Sequence, residues 1–305
     1  MTALASPEPV IASPPAAHRG PLHVLAPLVV ALAAAAGVYV LYRVFVRSTL
    51  GQLVDTAAMR GAEVSHPKVV QVLDRTLNGT TLASLVLVCL FAATVGVLRK
   101  RLDLAIGSAL MVIGANVSTQ LLKTRLSRPE LDGVPLPNSF PSGHTAAAAS
   151  VAFALILVLP AAVRGTVALA GFGYVTVIAI ATVWAEWHRP SDTVAGLLVV
   201  LAWGSVAVFM IRLWRLRVPA GTSHTSRPTM LLLFAVGAVA GAIGLLGLGA
   251  AALSEGVSPD LVSGRFTFLA GAACITGAVA GAFLVWLRLA AGDRPALPDS
   301  PPSDA

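Results

Sequence analysis

Eight long apolar runs separated by short polar stretches constrain this chain more than any other feature. They fall at about 24–42, 80–98, 104–122, 144–163, 166–187, 192–211, 229–253 and 266–287, each close to the ~20 residues a helix needs to cross a bilayer. In lipid, every backbone N–H and C=O must be satisfied within the protein, so spans of this kind fold as helices or as closed barrels. The runs are rich in Ala, Val, Leu and Gly and show no period of two, which excludes a barrel. Composition agrees, because 11% of the residues are charged, against about 25% in a soluble domain. The expected fold class is all-α, a polytopic membrane helix bundle.

The ends of the chain differ from its middle. Residues 1–22 and 293–305 are rich in Pro, Ala and Ser and are expected to be disordered tails. The first apolar run lacks a basic n-region directly before it and is long enough to span, so it reads as an uncleaved helix. Residues 43–78 are polar and mixed in charge, with a helical rhythm around 54–58 and 69–73. They are expected to lie at the membrane interface or to pack over the bundle.

The net charge of +7 does not signal nucleic acid. Its arginines and lysines flank apolar runs, as in Arg99-Lys100-Arg101 and the Arg212, Arg215 and Arg217 cluster, the placement of a topology signal. Alternating spans put the loops around 123–141 and 188–191 on one side and the short Arg-rich loops on the other. Arg-rich loops favour the cytoplasm, so the first pair is expected to face outward. Cys89 and Cys274 lie inside apolar runs and read as small buried residues, with no disulfide framework.

The candidate chemistry sits at span ends on that outward side. Lys123, Arg125 and Arg128-Pro129 follow the third run, and three cations there can serve topology or bind an anion. Asn138-Ser139-Phe140-Pro141-Ser142-Gly143-His144 leads into the fourth run. A polar residue and a proline before an apolar run mark a helix start, whose free N–H groups favour an anion. Gly143 lets an anion approach the backbone, Ser142 offers a hydroxyl, and His144 can carry a proton near neutral pH. Between the fifth and sixth runs stands Trp187-His188-Arg189-Pro190-Ser191-Asp192. A carboxylate four residues after a histidine can fix the ring's tautomer and leave its other nitrogen free to attack. Cations, an anion-binding helix start, an acid, a nucleophile and an orienter are the parts that phosphoryl transfer requires.

In their order and spacing these residues resemble the type 2 phosphatidic acid phosphatase superfamily, whose signature joins a Lys with Arg-Pro, a Pro-Ser-Gly-His, and a Ser-Arg followed by His-x-x-x-Asp. The resemblance runs from about Gly51 to Ile211. It implies a six-span phosphatase core over residues 23–217, two additional spans over 218–292, and metal-independent hydrolysis without a cofactor. It further implies that His188 is the nucleophile of a phosphohistidine, that Asp192 orients it and that His144 protonates the leaving oxygen. Lys123, Arg128, Ser142 and the Gly143 N–H would hold the phosphate oxygens. Two departures stand out. Lys123 precedes Arg128-Pro129 by four intervening residues where the family has six, and the family's Ser-Arg falls on Ala181-Thr182, so one phosphate-binding arginine is missing. Arg125 and Arg189 are the candidate substitutes.

The implied partner is a lipid phosphate or polyprenyl pyrophosphate in a bacterial plasma membrane, met on the extracytoplasmic face. A phosphotransferase using the same phosphohistidine, and a degenerate lipid-handling or transport protein, are the alternatives. Oligomeric state is not legible in the sequence.

Overall fold

A computed structural model describes residues 21–62, 82–216, 220–221, 226–257, 263–291 and 294–295. The expected tails and the rhythm around 69–73 lie outside the described residues, apart from Pro21 and Leu22, which begin the first helix, and Arg294 and Pro295. The helices are α1 (Pro21–Leu41, continued by a π turn over Tyr42–Val46), α2 (Thr49–Arg60), α3 (Leu82–Leu98), α4 (Leu102–Arg125), α5 (Gly143–Val158), α6 (Ala161–Trp184), α7 (Pro190–Trp214), α8 (Arg227–Val257) and α9 (Gly264–Ala291). Each of the eight apolar runs forms a helix over most of its described residues, and the chain is an all-α polytopic membrane bundle.

The runs differ in length from a uniform set of eight spans. Six helices among the described residues are long and apolar enough to cross a membrane, while the apolar stretches Val86–Leu98 and Gly143–Val158 are shorter. The 16 residues of α5 rise about 24 Å, against a bilayer core of ~30 Å. Its limits are chemical. Ser142 caps its start, accepting a hydrogen bond from Thr145 N, and Leu159 precedes a proline and is extended. From Thr145 to Val158 nearly every side chain is buried, so α5 faces protein and has no need to reach both membrane surfaces.

Around α5 stand α4, α6 and α7, with α1 along α7 and α3 against α4. The α8–α9 hairpin joins through α9, which packs on α7, α6 and α2. At the end remote from His144, arginines satisfy helix carbonyls that lack intrahelical partners. Arg99 donates to Val158 O at 2.8 Å, Arg164 to Ala290 O at 3.0 Å and Arg212 to Leu289 O at 2.8 Å. A cation at a helix C-terminus also complements the macrodipole.

The amphipathic helix α2 lies over the opposite end. Its N-cap is Ser48, and it buries Gln52, Asp55, Thr56 and Met59 while leaving Leu50 and Arg60 exposed. A short helix with polar residues on its inward face must find polar partners there, and those partners are the loops that carry the candidate chemistry.

Candidate active site

A cleft of about 450 Å³ opens where α4 ends and where α5 and α7 begin. Lys123, Asn138, Ser139, His144, Glu186, Trp187, His188 and Arg189 are among its lining residues, with Met59 contributed by α2. Residues from loops far apart in sequence thus share one space. The rings of His144 and His188 meet edge-on with centroids 5.8 Å apart, and His144 also packs on Trp187 at 5.4 Å. His188 is buried, whereas His144 is half-buried.

Local geometry explains how His188 arrives there. Helix α6 ends in Trp184, and Glu186 takes a left-handed backbone, φ +58°. The chain folds back so that the N–H groups of Trp187 and His188 both donate to Thr182 O, at 3.0 and 3.2 Å. Pro190 then opens α7, preorganised for its first turn.

Asp192 lies at the hub of the site. Its carboxylate accepts from Arg128 Nη2 at 2.7 Å, from Ser139 Oγ at 2.5 Å and from Arg189 N at 3.0 Å. Its own carbonyl accepts from Ser142 N at 2.8 Å. One residue therefore ties together the Arg128 loop, the start of α5 and the start of α7. His188 Nδ1 lies 3.8 Å from Asp192 Oδ2, facing it but outside hydrogen-bond range. Among the described residues no hydrogen bond reaches that nitrogen.

The cations named from the sequence occupy different places. Lys123 lines the cleft. Arg128 stands behind it, its side chain 3% exposed, with Nε and Nη1 buried and without a hydrogen-bond partner among the described residues. Arg125 is exposed and does not line the cleft. Arg189 contributes to the wall, yet its Nε donates to Thr56 Oγ1 at 2.8 Å and its Nη2 lies 3.5 Å from Asp132 Oδ2. Thr182, where the resemblance sets an arginine, is fully buried and donates its hydroxyl to Ala179 O. Ser142 is buried at the cap of α5, with Gly143 beside it.

Two further residues organise the cleft without having been assigned a role from the sequence. Ser139 holds Asp192, as above. Asn138 donates from Nδ2 to Lys123 O at 3.1 Å and Leu126 O at 2.9 Å, which closes the loop after α4 onto the approach to α5. The sole advance signal was position, since both stand just before Phe140-Pro141-Ser142. Outside the spans, Asp132 is held below the usual carboxylate range: burial opposes this, but the Thr56 hydroxyl, Val134 N–H and Arg189 outweigh it. The cleft thus holds two imidazoles, an ammonium group and a helix start, and an anchored carboxylate stands behind one imidazole.

These features define a class: a helical membrane protein with a polar histidine-pair cleft recessed at one end of its bundle. Residues 82–218 match the model of the PAP2 superfamily, in agreement with the resemblance carried by the motifs between Lys123 and Asp192. That superfamily is in general one of phosphatases, which supports a phosphoester hydrolase. The matched region begins after α2 and ends before α8. No curated protein and no solved structure matches the chain.

Proposed function

We propose that the protein removes phosphate from a lipid-borne monoester or pyrophosphate through a covalent phosphohistidine. The observation that carries this reading is the edge-on pairing of His144 and His188 across a cleft that also exposes Lys123. One phosphoryl group can contact both rings and the ammonium group at once. With Nδ1 turned toward Asp192, His188 presents Nε2 as the attacking atom. The bond from phosphorus to the leaving oxygen breaks as the bond to Nε2 forms, and His144 gives its proton to that oxygen. Water then attacks the phosphohistidine, His144 takes the water's proton, and inorganic phosphate leaves.

Asp192 faces the cationic ring that forms and stabilises it by charge. Lys123, Ser142 and the Gly143 N–H cradle the phosphate oxygens. Arg128 acts from behind Asp192, where its two unpartnered nitrogens remain for an anion or for water. The apolar spans keep the lipid tail in the bilayer while the head group enters the cleft. With short Arg-rich loops at the other end, the cleft faces the extracytoplasmic side.

The test is phosphate release by purified protein in EDTA from phosphatidic acid, phosphatidylglycerol phosphate and polyprenyl pyrophosphate. The expected result is turnover of at least one, loss of all turnover in His188→Ala, and acid-labile phosphate on the parent protein during turnover. Full activity in His188→Ala would sink this mechanism.

A further inference from the structure

Helix α2 precedes the residues that match the superfamily, yet its buried polar face holds the loops that form the cleft. Gln52, Asp55 and Thr56 are spaced three and four apart, so they share one side of the helix. All are buried. Each one grips a loop of the site. Gln52 Nε2 donates to Pro129 O at 2.8 Å, and its Oε1 accepts from Leu131 N at 3.2 Å. Thr56 donates to Asp132 Oδ2 at 2.5 Å and accepts from Arg189 Nε. Asp55 accepts two hydrogen bonds from a single residue, Ser191 N at 3.1 Å and Ser191 Oγ at 2.5 Å.

Ser191 lies between His188 and Asp192, one residue before the hub of the site. The N–H that Asp55 accepts is among the first of α7, which have no partner within the helix. The carboxylate thus acts as a cap supplied from another element. Further support comes from the other side, where Gly271 of α9 leaves room for Pro190, whose Cγ lies 3.0 Å from where a Cβ would stand. The turn that carries His188 and Asp192 is therefore held between α2 and α9. None of the three polar residues of α2 lines the cleft, so they act on substrate only through that turn and the loop after α4.

We propose that Asp55 is a positioning residue for phosphoryl transfer, fixing the start of α7 through Ser191 and thereby the separation of His188 from Asp192. This role rests on the reading of His188 and Asp192 given under Proposed function. A displacement of about 1 Å in a reacting pair can cost about 100-fold in rate, and His188 and Asp192 already stand at the edge of contact.

The test compares the parent with Asp55→Leu, Asp55→Asn, Ser191→Ala, Asp55→Leu/Ser191→Ala and His188→Ala, using in detergent micelles whichever of phosphatidic acid, phosphatidylglycerol phosphate and polyprenyl pyrophosphate the parent turns over fastest, and recording kcat, KM and Tm. Asp55→Leu removes both acceptors, and kcat is expected to fall about 10- to 100-fold with KM nearly unchanged. In Asp55→Asn the amide oxygen still accepts Ser191 N–H while the NH2 donates to the Ser191 hydroxyl, so kcat is expected to return to near the parental value. Ser191→Ala keeps the backbone bond and falls between them, which keeps the test open should Asp55→Leu fail to fold. The double variant is expected to lose no more than Asp55→Leu, because both changes break one unit.

Parental kcat in both Asp55→Leu and Ser191→Ala, with His188→Ala inactive, would overturn the positioning role and leave the reaction intact. The positioning role would fall equally if Asp55→Asn lost as much as Asp55→Leu at parental Tm. A parent that releases no phosphate from any of the three lipids, or an active His188→Ala, would instead overturn the underlying reaction.

Discussion

Glu186 carries backbone strain at the rim of the cleft. Its φ of +58° lies in the left-handed region, where a side chain with a Cβ costs about 1–2 kcal/mol. That strain lets Trp187 and His188 fold back onto Thr182 O, so the backbone shape matters more than the carboxylate. Glu186→Gly is expected to hold or raise Tm in detergent, whereas the β-branched Glu186→Val lowers it; equal Tm in the two would refute the strain. Asp55 carries a charge problem of a different kind. Burial, and next the charge of Asp192, push its carboxyl from 3.8 up to about 7. Arg128 and the Ser191 bonds work against that rise, and Arg189 also faces it. Because the folded state holds this proton more tightly than the unfolded chain, its contribution to stability is complete below pH 4. It is lost as pH rises through about 7. In a melting series from pH 5 to pH 8, Asp55→Asn is expected to gain Tm relative to the parent toward the alkaline end. A constant difference across the series would count against an elevated Asp55.

At the scale of elements, the site depends on how closely α5 and α7 approach. A Cβ at Gly196 of α7 would lie 2.4 Å from Ser142 O, the carbonyl at the cap of α5. Backbone cannot give way cheaply there, so Gly196→Ala would prise the His144 helix away from the Asp192 helix. It is expected to lower kcat by at least about 10-fold and to lower Tm, while Gly173→Ala, which meets nothing within 4 Å, leaves both unchanged. Equal activity in the two variants would show that the approach is not needed. The elements themselves were legible in the sequence because lipid demands long apolar helices and nothing else available to this composition meets that demand. The meeting of His144 and His188 was legible too, since alternating spans bring the ends of α4 and α6 and the starts of α5 and α7 to one side. The partners of the arginines were not. Arg128 pairs with a carboxylate 64 positions away and Arg189 reaches a threonine 133 positions away. Such contacts leave no local period, and Asp55 gave no sign of Ser191 for the same reason.

On the scale of the whole molecule, the question is whether α2 and the six helices α1 and α3 to α7 can hold the cleft without the α8–α9 hairpin. Hydrophobic burial drives folding weakly between helices already in lipid, so close packing and interhelical hydrogen bonds must supply the association. Helix α9 supplies both to the rest of the bundle. Trp286 is fully buried, stacks on Phe153 at 4.8 Å with planes 6° apart, and donates from Nε1 to Phe153 O. The carbonyls of Leu289 and Ala290 receive Arg212 and Arg164. Near the cleft, Gly271 rests on Pro190 and Ala58, so α9 backs both the turn that carries His188 and the helix that grips it. Removing the hairpin would leave α2 with its loop contacts but without its backing, and would take away the contacts that α9 makes with Phe153 of α5, Arg164 of α6 and Arg212 of α7. A chain ending at residue 217 is therefore expected to insert into the membrane, since its helices are individually apolar, but to release no phosphate from a lipid substrate that the full chain cleaves. Trp286→Ala tests the same coupling in the intact chain. Deleting a buried Trp costs about 3–5 kcal/mol in soluble cores, and here it also orphans the bond to Phe153 O. Tm should fall by several degrees with kcat reduced at temperatures below the melt, because the loss propagates along α5 to His144. Parental turnover in the truncated chain would show that α2 and the six-helix core hold the catalytic turn by themselves.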